Sequence, residues 1–200
     1  MKLSKFPSEW LGLLPFEEAL CRQKQAHAAT LDGGPGVILG LEHSSIITLG
    51  LRGNIDQDIK KSSPLPIVST DRGGQATLHS PGQLVIYPIL PFQREGIGPR
   101  EYVALLLQRT AETLQKMGVA AFPREDQAGV YTKNGKIAFC GLRLDQGISR
   151  HGLSINVHNE LDLFEFIRPC GNSQEKIVSI HSEIKNTNVT CHELFRAYCS

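Results

Sequence analysis

Over residues 1–152, glycine and proline recur so often that only two unbroken stretches exceed ten residues, 16–32 and 100–117. A chain cut this finely cannot build a long helical array, and short strands joined by turns are what remain to it. The two long stretches carry helix signals. Pro15 and Pro99 stand where a first helical turn tolerates a missing N–H, Glu17 and Glu18 sit in the first turn of one helix, and Gly118 closes the other. Helices are therefore expected over Pro15–Ala29 and Pro99–Met117. In the second, residues 103, 106, 107, 110, 114 and 117 share one stripe, which should lie on a sheet.

Strands are expected at Val37–His43, Ile46–Gly50, Ile67–Thr70, Leu84–Leu90 and Gly152–Val157, and on both sides of Asn134-Gly135 within Gly129–Leu144, where Asn-Gly is a strong hairpin signal. Residues 51–66 read as a loop. Gly73, Gly74, Pro81 and Gly82 argue against any regular element within Asp71–Gln83. The capping box Thr190–Glu193 should open a short C-terminal helix carrying Leu194, Phe195 and Tyr198. With no internal repeat and no linker, the expectation is one α+β domain over residues 1–200, a mixed and mostly antiparallel sheet covered by helices.

Forty per cent hydrophobic and 20% charged residues place the chain among folded globular proteins, and a net charge of +1 gives no field of the kind that dominates nucleic-acid binding. The longest apolar stretches, such as Leu84–Leu90, are far too short to span a bilayer, so no membrane partner is expected. The N-terminal run Trp10–Phe16, cut by Gly12 and Pro15, is unlike a secretory core, which favours a cytoplasmic protein. Five cysteines, at 21, 140, 170, 191 and 199, form an odd set without a CxxC pair. That argues against a disulfide framework and a thiolate metal site.

Several signatures are missing: no GxxxxGK[ST] loop, no HExxH, no complete nucleophile elbow. What stands out is a glycine-rich run, Arg72-Gly-Gly-Gln-Ala-Thr-Leu-His-Ser-Pro-Gly-Gln83, in which paired glycines let backbone N–H groups approach a ligand. Three further segments follow in order: Gly135-Lys-Ile-Ala-Phe-Cys-Gly141, Arg150-His-Gly152 and Arg168-Pro-Cys-Gly171. Together with Thr48-Leu49-Gly50 they resemble, from about Leu41 to Ile180, the motif set of the lipoyl(octanoyl) transferases, a branch of the biotin/lipoate protein ligase superfamily.

That resemblance implies a biotin/lipoate protein ligase-like fold. It also implies transfer of an octanoyl group from octanoyl-acyl carrier protein to a lysine of a lipoyl domain, in 2-oxoacid dehydrogenases or the glycine cleavage H protein, with no cofactor and no metal. Cys170 would carry the acyl group as a thioester and Lys136 would be its partner. The chemistry is reasonable in its own terms, since an ordinary thiol is only a few per cent thiolate at neutral pH and needs a cation or base beside it. Lysine can act as either. By the same resemblance His79 and His151 would lie in the pocket, and Arg72, Gly73, Gly74, Gly82 and Gly152 would shape its wall. Apolar lining is expected from Leu84–Leu90 and Ile137–Leu142.

Strand alternation places Cys140 on the face of Lys136, where it reads as packing. His27, His43, His158, His181 and His192 read as structural. Leu78 and Ser80 depart from the family pattern, which has Tyr and Gly there; the first should alter what packs on the acyl group. Arg72, Arg143 and Arg150 are candidates for a basic rim that meets acidic protein substrates. Two other readings remain open: an ATP-dependent lipoate or biotin ligase, which would have no need of Cys170, and a non-catalytic protein that binds an acyl group or lipoyl domain.

Overall fold

The structure, a computed structural model, describes residues 1–60, 63–124, 126–168, 176–185 and 187–200; Pro169, Cys170 and Gly171 lie outside the described residues. In chain order the elements are β1 (Ser8–Leu14), α1 (Phe16–Leu31), β2 (Val37–His43), β3 (Ile46–Leu49), α2 (Ile55–Asp58), β4 (Ile67–Ser69), β5 (Ala76–His79) and β6 (Gln83–Ile89). There follow α3 (Pro99–Lys116), β7 (Phe122–Arg124), β8 (Gly129–Thr132), β9 (Gly135–Asp145), β10 (Ile148–Asn156), α4 (Ile180–Glu183) and α5 (Cys191–Cys199), with a 3-10 helix at Leu161–Phe166.

The α+β expectation holds, with two sheets in place of one. Seven strands in the order β1-β2-β6-β10-β9-β8-β7 make the larger sheet, and β4-β3-β5 the smaller. Among the described strands, β1–β2 and β3–β4 pair in parallel and the remaining pairs are antiparallel. The connection β9–β10 is a two-residue turn in which Gln146 and Gly147 both take positive φ, 49° and 75°, the twist a tight hairpin needs. At the β8–β9 turn Gly135 serves a different end, because a Cβ there would run into the Lys176 carbonyl.

Three expectations need correction. Ser8–Leu14 is a strand, missed because Gly12 interrupts it; the interruption survives as a register shift between Trp10 and Leu13. Within Asp71–Gln83 the breaker-free residues Ala76–His79 do form a strand, held by β3 through pairs from Leu49–Ala76 to Ile46–His79. The stretch 51–66 contains one helical turn, capped by the Asn54 side chain.

The larger sheet has two different faces. One, with Leu84, Ile86, Ala138, Leu153 and Ile155, is buried under α3 and α5. On the other, α1 packs through Ala19 over Leu39, Leu41, Val85 and Tyr87, while the smaller sheet closes over Phe139 through Ile47, Leu49 and Leu78. Phe139, Ser154 and Val85 are neighbours across three strands of this second face. A cleft remains between the two sheets.

Gly40 on β2 carries the ring of Phe195 from α5, and a Cβ there would overlap that ring. Gly40→Ala should therefore cost about 1–3 kcal/mol by overpacking, read as a lowered thermal midpoint. Part of the loss should return in the double variant with Phe195→Leu.

Candidate functional site

Lys136 begins the site, at the start of β9. Its pairing pattern is irregular: Tyr131 faces Lys136 but Val130 faces Ala138, so Ile137 is an extra residue in β9. This bulge breaks strict alternation. The Lys136 ammonium consequently shares a side with Phe139, 5.1 Å from its ring centroid and 5.3 Å from that of Tyr131. Ala138 and Cys140 point instead to the α3 side, which corrects the expected shared face of Lys136 and Cys140. Burial pushes the Cys140 thiol up to about 12, in keeping with a packing role.

Lys136 is 1% exposed. Its stem crosses Gly129, where a Cβ would sit 2.6 Å from Cε, and its Nζ donates to the Gln127 carbonyl at 3.2 Å. The backbone is clamped as well: Lys136 N donates to Lys176 O at 2.8 Å, and Val178 N donates to Lys136 O at 3.0 Å. Lys176 is the first described residue after Cys170. Before it, Arg168 N donates to Asp58 O at 2.8 Å, and Ile167 is buried against the smaller sheet.

From Lys136 the cleft runs between the sheets past Phe139, Ser154 and Thr77 to Tyr87, Phe16 and His151. Arg72, Gly74, His79, His151 and Gly152 all line it, so most of the expected set is brought together. Arg72 is 7% exposed and its guanidinium is spent on the loop itself, donating to Thr48 Oγ1 and to the carbonyls of Thr48, Gly73 and Gln75 at 2.6–2.9 Å. Gly73 N donates to Leu142 O at 3.0 Å, which fastens the loop to β9, and Gly74 takes a φ of 89°. Gly82 lies away from the cleft, at the β5–β6 turn, where its N donates to Glu42 Oε2 at 2.6 Å and a Cβ would strike Asn159.

Two polar devices hold the histidines. Asn156 Nδ2 donates to the Val178 carbonyl at 3.0 Å, which fixes the amide's orientation; Gln83 Nε2 then donates to Asn156 Oδ1 at 2.9 Å, and Gln83 Oε1 accepts from His79 Nδ1 at 2.8 Å. The tautomer follows from that chain, with the proton on Nδ1. Similarly, His43 Nδ1 donates to Leu14 O at 3.0 Å, so its Nε2 accepts from the Tyr87 hydroxyl at 2.7 Å. The second device centres on His151, whose φ of 54° turns its side chain to the cleft side of β10. Gln23 Oε1 accepts from its backbone N at 2.7 Å, and its Nε2 donates to Asp71 Oδ1 at 2.7 Å. Burial favours the neutral acid at Asp71, but hydrogen bonds from Arg150 and His151 outweigh it and hold the carboxyl well below its usual range.

Residues 14–199 match the family model described as the lipoyl protein ligase A/B catalytic domain. The chain belongs to this family. An octanoyltransferase of Cellvibrio japonicus is 38% identical over 161 residues, 80% of this chain and 74% of the relative; one of Chromobacterium violaceum is 40% identical over 149 residues, 74% and 70% respectively. Among solved structures, lipoate-protein ligase A bound with ATP superposes with a TM-score of 0.72 at 14% identity, covering 99% of this chain and 83% of that one. A putative lipoate protein ligase from Thermoplasma acidophilum with bound lipoic acid gives 0.69 at 13% identity, covering 96% and 82%. These likenesses establish the fold.

Within this lipoyl protein ligase A/B chain, sequence reasoning missed Asp71, Gln23, Gln83, Asn156, Phe16 and Tyr87. Gln83 closes the glycine-rich run and Asn156 stands four residues beyond Arg150-His-Gly152, whereas Gln23 lies mid-helix with nothing to mark it. Leu78 points away from the cleft into the core between the small sheet and Phe139, so it does not pack on a ligand as expected. Ser80 is buried with its hydroxyl unpartnered among the described residues. Of the three arginines expected at a basic rim, Arg72 is internal, Arg150 is bound to Asp71, and Arg143 is half-buried on β9.

Burial pushes His43 down to about 4, against the Leu14 carbonyl and Glu17, and pushes His79 down to about 3, aided by His43 and Arg72. The unfolded chain takes up these protons near 6.5, well before the folded one does. Stability is thus full above about pH 6.5 and falls as the pH drops towards 4. Denaturant titrations should show a loss on the order of 3 kcal/mol between pH 7 and pH 5, and His43→Gln should roughly halve that slope.

Proposed function

We propose that this chain transfers an octanoyl group from octanoyl-acyl carrier protein to a lysine of a lipoyl domain, by way of a thioester on Cys170. The observation that carries the reading is the buried Lys136 ammonium at one end of an apolar cleft, in a chain whose relatives at 38–40% identity are octanoyltransferases. Cys170 stands six positions before Lys176, whose carbonyl binds Lys136; six extended steps reach at most about 20 Å, which allows the thiol to meet the ammonium.

In the first half-reaction the Cys170 thiol gives up its proton beside Lys136, and the thiolate attacks the carrier thioester. The carrier's thiolate leaves and takes a proton. In the second, a lipoyl-domain amine attacks the enzyme thioester, the C–S bond breaks, and the proton lost by nitrogen returns to Cys170. Thioester exchange is nearly isoenergetic and amide formation is downhill, so no nucleotide is needed. The acyl chain lies along the cleft, away from water, among Phe139, Val85 and Tyr87. Acceptors would be lipoyl domains of 2-oxoacid dehydrogenases or the glycine cleavage H protein.

Incubation with octanoyl-acyl carrier protein should add one octanoyl mass, labile to hydroxylamine and absent in Cys170→Ala. Lys136→Met should slow acylation by at least about 100-fold. Label that persists in Cys170→Ala, or ATP-dependent transfer of free octanoate by Cys170→Ser, would overturn the reading.

A further inference from the structure

We propose that the Thr77 hydroxyl donates a hydrogen bond to the carbonyl oxygen of the acyl thioester and holds the oxyanion that forms there on attack. This rests on the acyl-transfer reading of the same cleft. Several buried side-chain polar atoms have no hydrogen-bond partner among the described residues, and of these Thr77 Oγ1 alone belongs to a residue of the cleft wall.

Thr77 is 9% exposed. Strand β5 sets its direction: Leu78 is buried in the core with Phe139, and alternation turns Thr77 and His79 to the cleft. Across the small sheet Thr77 pairs with Thr48, whose hydroxyl accepts from Arg72 Nε at 2.9 Å and leaves Thr77 Oγ1 unbonded. Phe139 connects this wall to the lysine, its ring centroid 5.1 Å from the Lys136 nitrogen.

A hydroxyl shut away from water without a partner costs about 1–3 kcal/mol. A bound ligand that supplies the partner removes that cost. A saturated acyl thioester carries one good acceptor, its carbonyl oxygen, and no donor, so the unpartnered hydroxyl of the wall and the acceptor of the substrate match. The potential along the wall also favours an anion. Burial lowers His79 and raises the Tyr87 hydroxyl, and the Arg72 charge adds to the first shift and opposes the second, as a positive potential does.

When the thiolate sulfur attacks, the π pair of the carbonyl moves onto its oxygen. As that pair returns, the bond to the carrier's sulfur breaks and the carrier's thiolate leaves. The Thr77 proton stays on its own oxygen throughout, and its hydrogen bond strengthens while charge gathers on the carbonyl oxygen. Amine attack on the enzyme thioester builds an oxyanion of the same kind, so the contact serves both half-reactions.

Acyl-enzyme formation from octanoyl-acyl carrier protein should be timed by intact mass in Thr77→Val, which keeps the shape and loses the hydroxyl, and in Thr77→Ser, which keeps the hydroxyl. Loss of one oxyanion donor should slow acylation about 100-fold in Thr77→Val, with Thr77→Ser within about threefold of the wild type. Alkylation of the Cys170 peptide by iodoacetamide should keep its rate in both, because no carbonyl is involved and Lys136 is untouched. Thr77→Ala takes the place of Thr77→Val if the latter fails to fold. Three results overturn the assignment and leave the transferase reading intact: folded Thr77→Val acylated at the wild-type rate, Thr77→Ser as slow as Thr77→Val, or alkylation slowed as much as acylation. No acyl-enzyme in the wild type removes both.

Discussion

A lysine ammonium taken out of water is the constraint around which this fold is arranged. An uncompensated charge in a protein interior is costly by several kcal/mol, and at Lys136 the described compensation includes a backbone carbonyl and two ring faces. The bulge at Ile137 makes this possible, since without it the side chain would share the α3 side with Cys140. Glycine at 129 gives the stem its passage.

The same economy of charge governs the rest of the cleft. His79 and His43 are held neutral, their tautomers fixed by main-chain carbonyls at the far ends of short hydrogen-bond chains. Val178 is common to two of these arrangements. It accepts from Asn156, and so orients Gln83 and His79, and it donates to the carbonyl of Lys136. One short segment, just downstream of Cys170, thus ties the lysine strand to the histidine strand. The charged groups, Asp71 with Arg150, stand outside, behind His151.

Much of this was legible in the amino-acid sequence, for identifiable reasons. The helices Phe16–Leu31 and Pro99–Lys116 announce themselves through Pro, Glu and Gly at their ends, and the strands through β-branched runs. Motif residues such as Lys136, His79, His151 and Arg72 do meet in one cleft. Local pattern could not supply the short strand Ala76–His79, whose existence depends on a partner 30 residues upstream, nor the bulge, which reverses the side of a strand without changing its composition. Charge was equally opaque. An arginine in a motif reads as a rim cation, yet Arg72 is a buried staple because four carbonyl and hydroxyl acceptors converge on it.

Glycine placement brings these elements close together. Gly73 lies close to the Leu142 carbonyl, and Gly152 allows β6 to approach β10 through the Ile86 carbonyl, so the two sheets and the central strands sit nearer than side chains would permit. At φ 54° His151 turns out of the strand's alternation and across the channel, where a regular strand residue would have pointed into the α3 core with Leu153 and Leu142. The strain of that conformation is offset by two hydrogen bonds that His151 donates, from its backbone N to Gln23 Oε1 and from Nε2 to Asp71 Oδ1. One backbone angle and the two side chains that maintain it thus turn an imidazole into the cleft.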